Sequence, residues 1–475
     1  GRPAEASVKR LTALAADVST VMIIACSSST APSTTVAAKI TVLAGAGQSD
    51  TIQATLPTLL TVQVSGSGAT GVIVQFVSAD STGAYVSPAS SLSAPTSFLA
   101  DTSDATGKAS ARIALGTHAG KSRVIIRVPT LSLVDTATFT VTPGAAANLT
   151  LAPQDTTVYV GGAFAVRAAL VDRFGNARTD PVTIGHPQGP IVLAGGDTVR
   201  AQTYGLASVL ATVGSLVDTL RFTVVPTGQL AAIAASGIVR FNLDGSGYQQ
   251  LTAASGYERW SPSGERIVYA LGYWLQSVDT AGLASLLGPE PPGGLYDQFP
   301  QYSRDGQWVY FSRYDGANVN TLWRVAATGQ GTPQNVSTSQ DAYAPSPSPD
   351  GGQLVYVRHV NDEATLTILT LATGAVDSLT VSGTVPAWAP TGNLIAFVNA
   401  SAGSPLYLVQ SDGTGQRLIG TPGAMYGYVE DWSPDGQWIV AENQSAGYFE
   451  VINVSSNLVL PLRYTRGLTQ PIWRP

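Results

Sequence analysis

Glu258 and Glu430 each stand two residues ahead of a tryptophan, Trp260 and Trp432, in similar local sequence. Paired carboxyls ~5–10 Å apart are what glycoside hydrolysis uses, one as acid and one as base or nucleophile. If the two faced each other across a wet funnel, the chain would be a glycan-binding protein or a hydrolase. Other chemistries have less footing. No Gly-x-Ser-x-Gly elbow occurs, so a serine hydrolase of the α/β type is not expected. His118, His186 and His359 are too dispersed to converge on one metal or to serve a triad. Gly45-Ala46-Gly47 lacks the third glycine of a dinucleotide loop and reads as a turn. The Asp244-Gly245-Ser246-Gly247 and Asp412-Gly413-Thr414-Gly415 segments lack the alternating acidic ligands of a calcium loop. We therefore expect no metal site, no cofactor and no catalytic residue.

The elements around those carboxylates come from a repeat. Trp432-Ser433-Pro434-Asp435-Gly436-Gln437-Trp438 has weaker copies beginning at Trp260, Tyr302, Pro347 and Trp388, with a stub at Trp473-Arg474-Pro475. Subtracting neighbouring anchor positions gives spacings of 42, 45, 41, 44 and 41, the blade length of a β-propeller. Asp-Gly and Thr-Gly pairs punctuate each copy where hairpins must turn, because glycine accepts positive φ without steric cost. The stub needs a continuation, and Pro226 to Ala234 supplies a fitting apolar strand after a Pro-x-Gly turn. Joining the two ends predicts a six-bladed β-propeller over 227–475, closed by both of its termini, with no exposed sheet edge. These copies resemble the TolB-like propeller family.

Upstream, 39–143 and 144–226 alternate apolar and polar residues in short runs and show no helical period. Each reads as a β-sandwich, so the whole chain is expected to be all-β. Ala105-Thr106-Gly107-Lys108 and Asp172-Arg173-Phe174-Gly175-Asn176 resemble turn segments of the bacterial Ig-like domains found in invasin and intimin. That resemblance implies spacer or adhesive modules. Taken alone, the Gly-Asn pair is a turn that needs positive φ.

Composition limits the partners. Charged residues make up 12% of the 475, hydrophobics 44%, and the net charge is −6. A nucleic-acid ligand is not expected, since no basic run is present. The single cysteine, Cys26, excludes an intramolecular disulfide. Lys9 and Arg10 precede an apolar stretch that ends in Ile24-Ala25-Cys26-Ser27, the order of a secretory leader. That ending resembles a bacterial lipoprotein signal, which implies lipidation at Cys26 and membrane contact through the N-terminal segment, 1–26. A Ser/Thr/Ala/Pro linker follows over 27–38. No stretch reaches the ~20 apolar residues of a spanning helix.

The tryptophans at blade period are expected to fill the space between blades. The residues just ahead of each anchor differ between copies, and the family resemblance implies that they lie on the strand nearest the axis. Tyr257, Glu258, Asp297, Gln298, Asp341, Tyr343, Tyr426, Tyr428 and Glu430 are therefore the expected partner-binding residues at the propeller mouth. Tyrosines among carboxylates suit a protein partner. The expected protein is a non-catalytic one of the periplasm or cell surface, acting as scaffold, adhesin or extrinsic subunit of a larger membrane complex.

Overall fold

The structure, a computed structural model, describes residues 36–475 apart from 92, 315–318, 338–340, 361–362 and 400–402. Cys26, the segment 1–26 and most of the expected linker lie outside the described residues. The chain divides into two compact units, 1–144 and 145–475.

In the first unit two antiparallel-rich sheets share one hydrophobic core. Lys39–Ala44, Leu60–Ser65, Lys108–Leu115 and Ala84–Pro88 pair in that order. Ser49–Thr51, Leu133–Thr142, Gly120–Val128, Ile73–Ser78 and Phe98–Thr102 make the other sheet. Alternation puts Val62, Val64, Val74, Phe76, Ile113, Val124, Ile126 and Phe139 inward, where all are buried. The turn at Gly107 is held by Asp104, whose Oδ1 accepts from the Thr106 and Lys108 amides at 2.7 and 2.9 Å. These bonds keep the Asp104 carboxyl below its ordinary pKa.

The second unit begins with a smaller β-region. Its main sheet runs Thr156–Tyr159, Leu216–Val225, Gly205–Val213, Thr183–Gln188. Leu149, Leu170, Val199, Val209, Leu220 and Phe222 form its core. The Asp172 segment is a turn. Asp172 Oδ1 accepts from the Phe174 and Asn176 amides at 2.8 and 3.0 Å, and Gly175 takes φ +83°.

Six four-stranded antiparallel sheets follow, each with its inner strand ending at an anchor. The inner strands are Arg259–Trp260, Tyr296–Tyr302, Ala342–Pro347, Thr384–Trp388, Tyr426–Trp432 and Thr469–Trp473, which we number as blades one to six. Each inner strand lies beside the next, and that of blade six lies beside those of blades five and one. In blade six the remaining strands come from the start of the region, with Leu230 opposite Trp473.

The repeated turn folds by local bonding. In blades two, three and five the Ser Oγ donates to the Asp Oδ1 two residues on, at 2.5, 2.6 and 2.5 Å. The same Oγ accepts the amide that opens the next strand, at 2.9 Å in each case. Gly306, Gly351 and Gly436 close these turns at φ near +70°. The most repeated residues are therefore consumed in holding the blade.

The sequence suggests a separate module over 144–226, yet its strands are packed onto the propeller. Only Pro226-Thr227-Gly228 separate its last strand from the Gln229–Ala234 strand. Val225 enters the cluster of Trp438, Val440, Phe449 and Trp473. Tyr204 meets Trp438 edge-on at 5.1 Å, and Tyr159 Oη donates to the Gly228 carbonyl at 3.1 Å.

Candidate functional site

Every inner strand must narrow toward the axis, and the chain does this with the same kink. Ladder register breaks shortly before the anchor in the inner strands of blades two to five, at Gln298/Gln301, Tyr343/Ser346, Thr384/Ala387 and Tyr426/Glu430, and again in the blade-six pairing. Tyr257, Phe299, Ala344, Val385 and Gln470 adopt positive φ there. The following residue is Pro300, Pro345, Pro386 or Pro471 in four blades and Glu258 or Glu430 in the other two. Proline lacks an amide to leave unpaired, so it suits a break in the ladder.

The kinked strands enclose a cavity of about 240 Å³ on the propeller axis. Its walls include the anchors Trp260, Tyr302, Trp388, Trp432 and Trp473 and the polar residues Arg259, Gln301, Ser346 and Asp431 that directly precede anchors. Arg304 joins them from the turn of blade two. The same position is Pro262, Pro349, Pro390 and Pro434 in the turns of blades one, three, four and five, and Pro475, the last residue of the sequence, after the blade-six anchor.

The cavity polar groups bridge blades, neighbouring ones except for Arg304 of blade two, which reaches across to Trp388 of blade four. Arg259 Nε donates to Gln301 Oε1 at 2.9 Å, and Arg304 Nη2 donates to the Trp388 carbonyl at 2.7 Å. Ser346 Oγ accepts the Trp388 amide at 2.9 Å. Asp431 accepts the Trp432 and Trp473 amides at 2.9 Å each. Burial raises the Asp431 carboxyl, while the nearby Arg259 and Arg304 charges pull it back. Burial likewise lowers the Arg304 guanidinium, against the opposing field of Asp431. Two guanidiniums thus face one carboxylate in a chain that is acidic overall.

One end of the cavity continues into an arc of rings. Tyr257 lies 4.2 Å from Phe299, Phe299 5.9 Å from Tyr343, and Tyr343 5.3 Å from His359. His359 Nδ1 and Asp341 Oδ2 are 2.7 Å apart at a half-exposed position. The structure thus brings Tyr257, Tyr343 and Asp341 together across blades one to three. Gln298 is half-buried and donates to Asn320 Oδ1 at 3.1 Å.

Three expected mouth residues are corrected, because each is buried. Asp297 is 4% exposed and takes both Nε and Nη2 of Arg313 at 2.6 and 2.8 Å, so it is an internal ion pair. Tyr426 is 3% exposed, and its hydroxyl donates to Glu450 Oε2 at 2.6 Å in a network with Thr421 and Asn443. Glu258 is wholly buried, lines no part of the cavity, and neither carboxylate oxygen has a hydrogen-bond partner. Burial pushes its pKa up to about 8. A carboxyl sealed in this way cannot serve as one half of a glycosidase pair. The side chains of Tyr428 and Glu430 lie outside the described residues.

The anchors at Trp260, Trp388, Trp432 and Trp473 are buried, as expected of inter-blade packing, and they also wall the cavity. Arg259, Gln301, Arg304, Ser346 and Asp431 were missed in the sequence. The signal available was departure from the repeat, most plainly an arginine where five copies carry proline. Among the described residues no group of three His, Cys, Asp or Glu side chains is placed to hold a metal. Among them, too, no helix is long and apolar enough to cross a membrane.

Residues 297–475 match the TolB beta propeller domain. The Tol-Pal system protein TolB of Francisella tularensis subsp. holarctica is 30% identical over 153 residues, covering 31% of this chain and 35% of that protein. The TolB homolog of Chlorobaculum tepidum is 30% identical over 114 residues, 23% of each. An uncharacterized protein of Agrobacterium fabrum is 27% identical over 156 residues, 29% of this chain and 53% of that one. The chain therefore spans between 23% and 53% of the length of these curated relatives. The solved TolB of Acinetobacter baumannii is 15% identical, with a TM-score of 0.44, covering 58% of this chain and 80% of that one. The carboxy-terminal part of this all-β chain is a TolB-like β-propeller.

Proposed function

We propose that this chain is a non-catalytic protein of the bacterial envelope whose propeller docks a protein partner. The β-regions at 39–143 and 144–226 act in this reading as Ig-like modules that present it, in a scaffold, an adhesin or an extrinsic subunit of a membrane complex. Cys26, when lipidated, would tether the assembly. The observation that carries the reading is the continuity of the Tyr257–Phe299–Tyr343 arc with a charged axial cavity. Aromatic rings beside a few polar groups make a surface on which a protein segment gains area and orientation together. The cavity is smaller than the ~300–1,000 Å³ typical of small-molecule sites, so it suits side chains of a docked segment. Two curated relatives carry TolB names, one within the Tol-Pal system, which supports an envelope setting.

A photo-crosslinking residue placed at Tyr343 tests this in cells. We expect one defined protein adduct from Tyr343 and none from the same residue placed at Leu286, an exposed outer-strand position of blade one. Equal adducts from both positions, or none from either, would reject the docking reading.

A further inference from the structure

We infer that a cleft between the 145–226 β-region and blade five binds a phosphate ester, held by Arg221 on one wall and Arg463 on the other. The cleft lies apart from the aromatic arc, and the inference does not depend on the docking reading above. Its volume is about 330 Å³, within the range of small-molecule sites.

Sheet register builds one wall. Gln188, Ser208 and Arg221 stand opposite one another on three neighbouring strands, Thr183–Gln188, Gly205–Val213 and Leu216–Val225. They share one face of the sheet with Cβ atoms ~5 Å apart, while Ala207 and Phe222 beside them turn into the core. Thr223, two residues on from Arg221 along that face, donates through Oγ1 to the Pro461 carbonyl at 3.1 Å. Pro461 belongs to the outer strand of blade five, Val459–Leu462, and Arg463 follows it by two residues. Each arginine thus stands one short step along the chain from the same contact, and both line the cleft.

Both guanidiniums can be reached by a ligand. Arg221 and Arg463 are exposed, and among the described residues neither has a carboxylate within ion-pair distance. Arg463 rests on the Tyr448 ring at 5.7 Å, a contact that steadies the group and leaves its N–H donors to a ligand. Arg466 approaches the same ring at 5.4 Å and adds to the positive field there.

Charge and donor geometry select the ligand. The titratable groups lining the cleft are Asp155, Arg221 and Arg463, two positive charges against one negative in a chain that is acidic overall. A cation would meet both guanidiniums. A carboxylate has two coplanar oxygens and suits a single guanidinium approaching in its plane. A phosphate monoester presents three acceptor oxygens in different directions, which suits donors on two walls with the Ser208 hydroxyl and the Gln188 amide beside them. Leu206 is exposed, stands opposite Thr223 and lines the cleft, so it offers apolar surface to the carbon body of the ester.

Calorimetric titration of the full chain with glycerol 3-phosphate tests the inference, alongside sedimentation with phosphatidylcholine vesicles carrying phosphatidic acid. Binding of the soluble ester points to a free phosphate ester as the source, and binding confined to the vesicles points to a lipid headgroup. In the assay that shows binding, Arg221→Gln and Arg463→Gln should each weaken it roughly 10- to 100-fold, as loss of a charged hydrogen bond would. Asp155→Asn should strengthen it, because the competing carboxylate is gone. Arg240→Gln, which alters an arginine of blade six bonded to Gln249, should leave binding unchanged. Both cleft arginines are exposed, so their variants should keep the parental melting temperature. No binding in either assay, or binding indifferent to both cleft variants, would overturn the inference. Malonate binding as tightly as the ester would overturn the phosphate assignment in favour of a carboxylate.

Discussion

Glu258 shows how a single residue can look functional in a repeat and be a structural cost in the fold. It occupies the kink position where four other blades place proline, and it is buried without a hydrogen-bond partner. Its pKa rises from an ordinary 4.5 to about 8 because burial disfavours the charge. Below 4.5 the group is neutral folded or unfolded, and its contribution to stability is whole. Between 4.5 and about 8 the unfolded chain ionises first, so stability falls as pH rises. We expect Glu258→Gln to flatten that slope and to raise the unfolding free energy at the upper end by about 1–3 kcal/mol. Urea midpoints across this pH range measure it, and an unchanged slope would show that the group is solvated. Asp297 and Tyr426 belong with Glu258, since type and position suggested a mouth but burial decided otherwise. Arg304 is the reverse case. Its place on the cavity wall follows only from the assembled ring.

At the scale of the element, the repeated turn was the most legible feature of the chain. Its bonds are local, Ser to Asp to the next amide, so the motif states its own geometry. Gly436 sits at φ +70°, and a Cβ there would approach Thr391 Oγ1 to 2.7 Å. Gly436→Ala should therefore cost about 1–2 kcal/mol, the penalty of a left-handed residue, read as a lower thermal midpoint. The short strands of 145–226 were less legible. Thr156–Tyr159 and Ala163–Ala165 have too few residues for alternation to stand out, and a parallel partner at Phe222 to Val225 holds the first of them.

For the whole molecule, closing the ring is what gives the blades a common axis. Leu230, Ala231, Ile472 and Trp473 are all buried at the join. A chain ending before Thr469 would leave the Gln229–Ala234 strand as an open edge and expose that apolar surface. We expect such a truncation to lose at least about 3 kcal/mol and to aggregate on concentration, because two large buried side chains are removed with the edge partner. Denaturation and light scattering measure both effects, and a truncated protein that stays monomeric with its full stability would show that the join contributes little.

Amino-acid order sufficed for the repeat, its blade spacing, the turns and the all-β character, because each follows from bonding and alternation among neighbours in the chain. It also marked the Leu230–Trp473 pairing, since an unfinished blade at one end matched an orphan strand at the other. Folding alone settled which variable residues face the axis and which are sealed between blades. Those outcomes depend on kinked strands converging from six copies some 40 residues apart, and no local pattern records where a side chain points after that convergence.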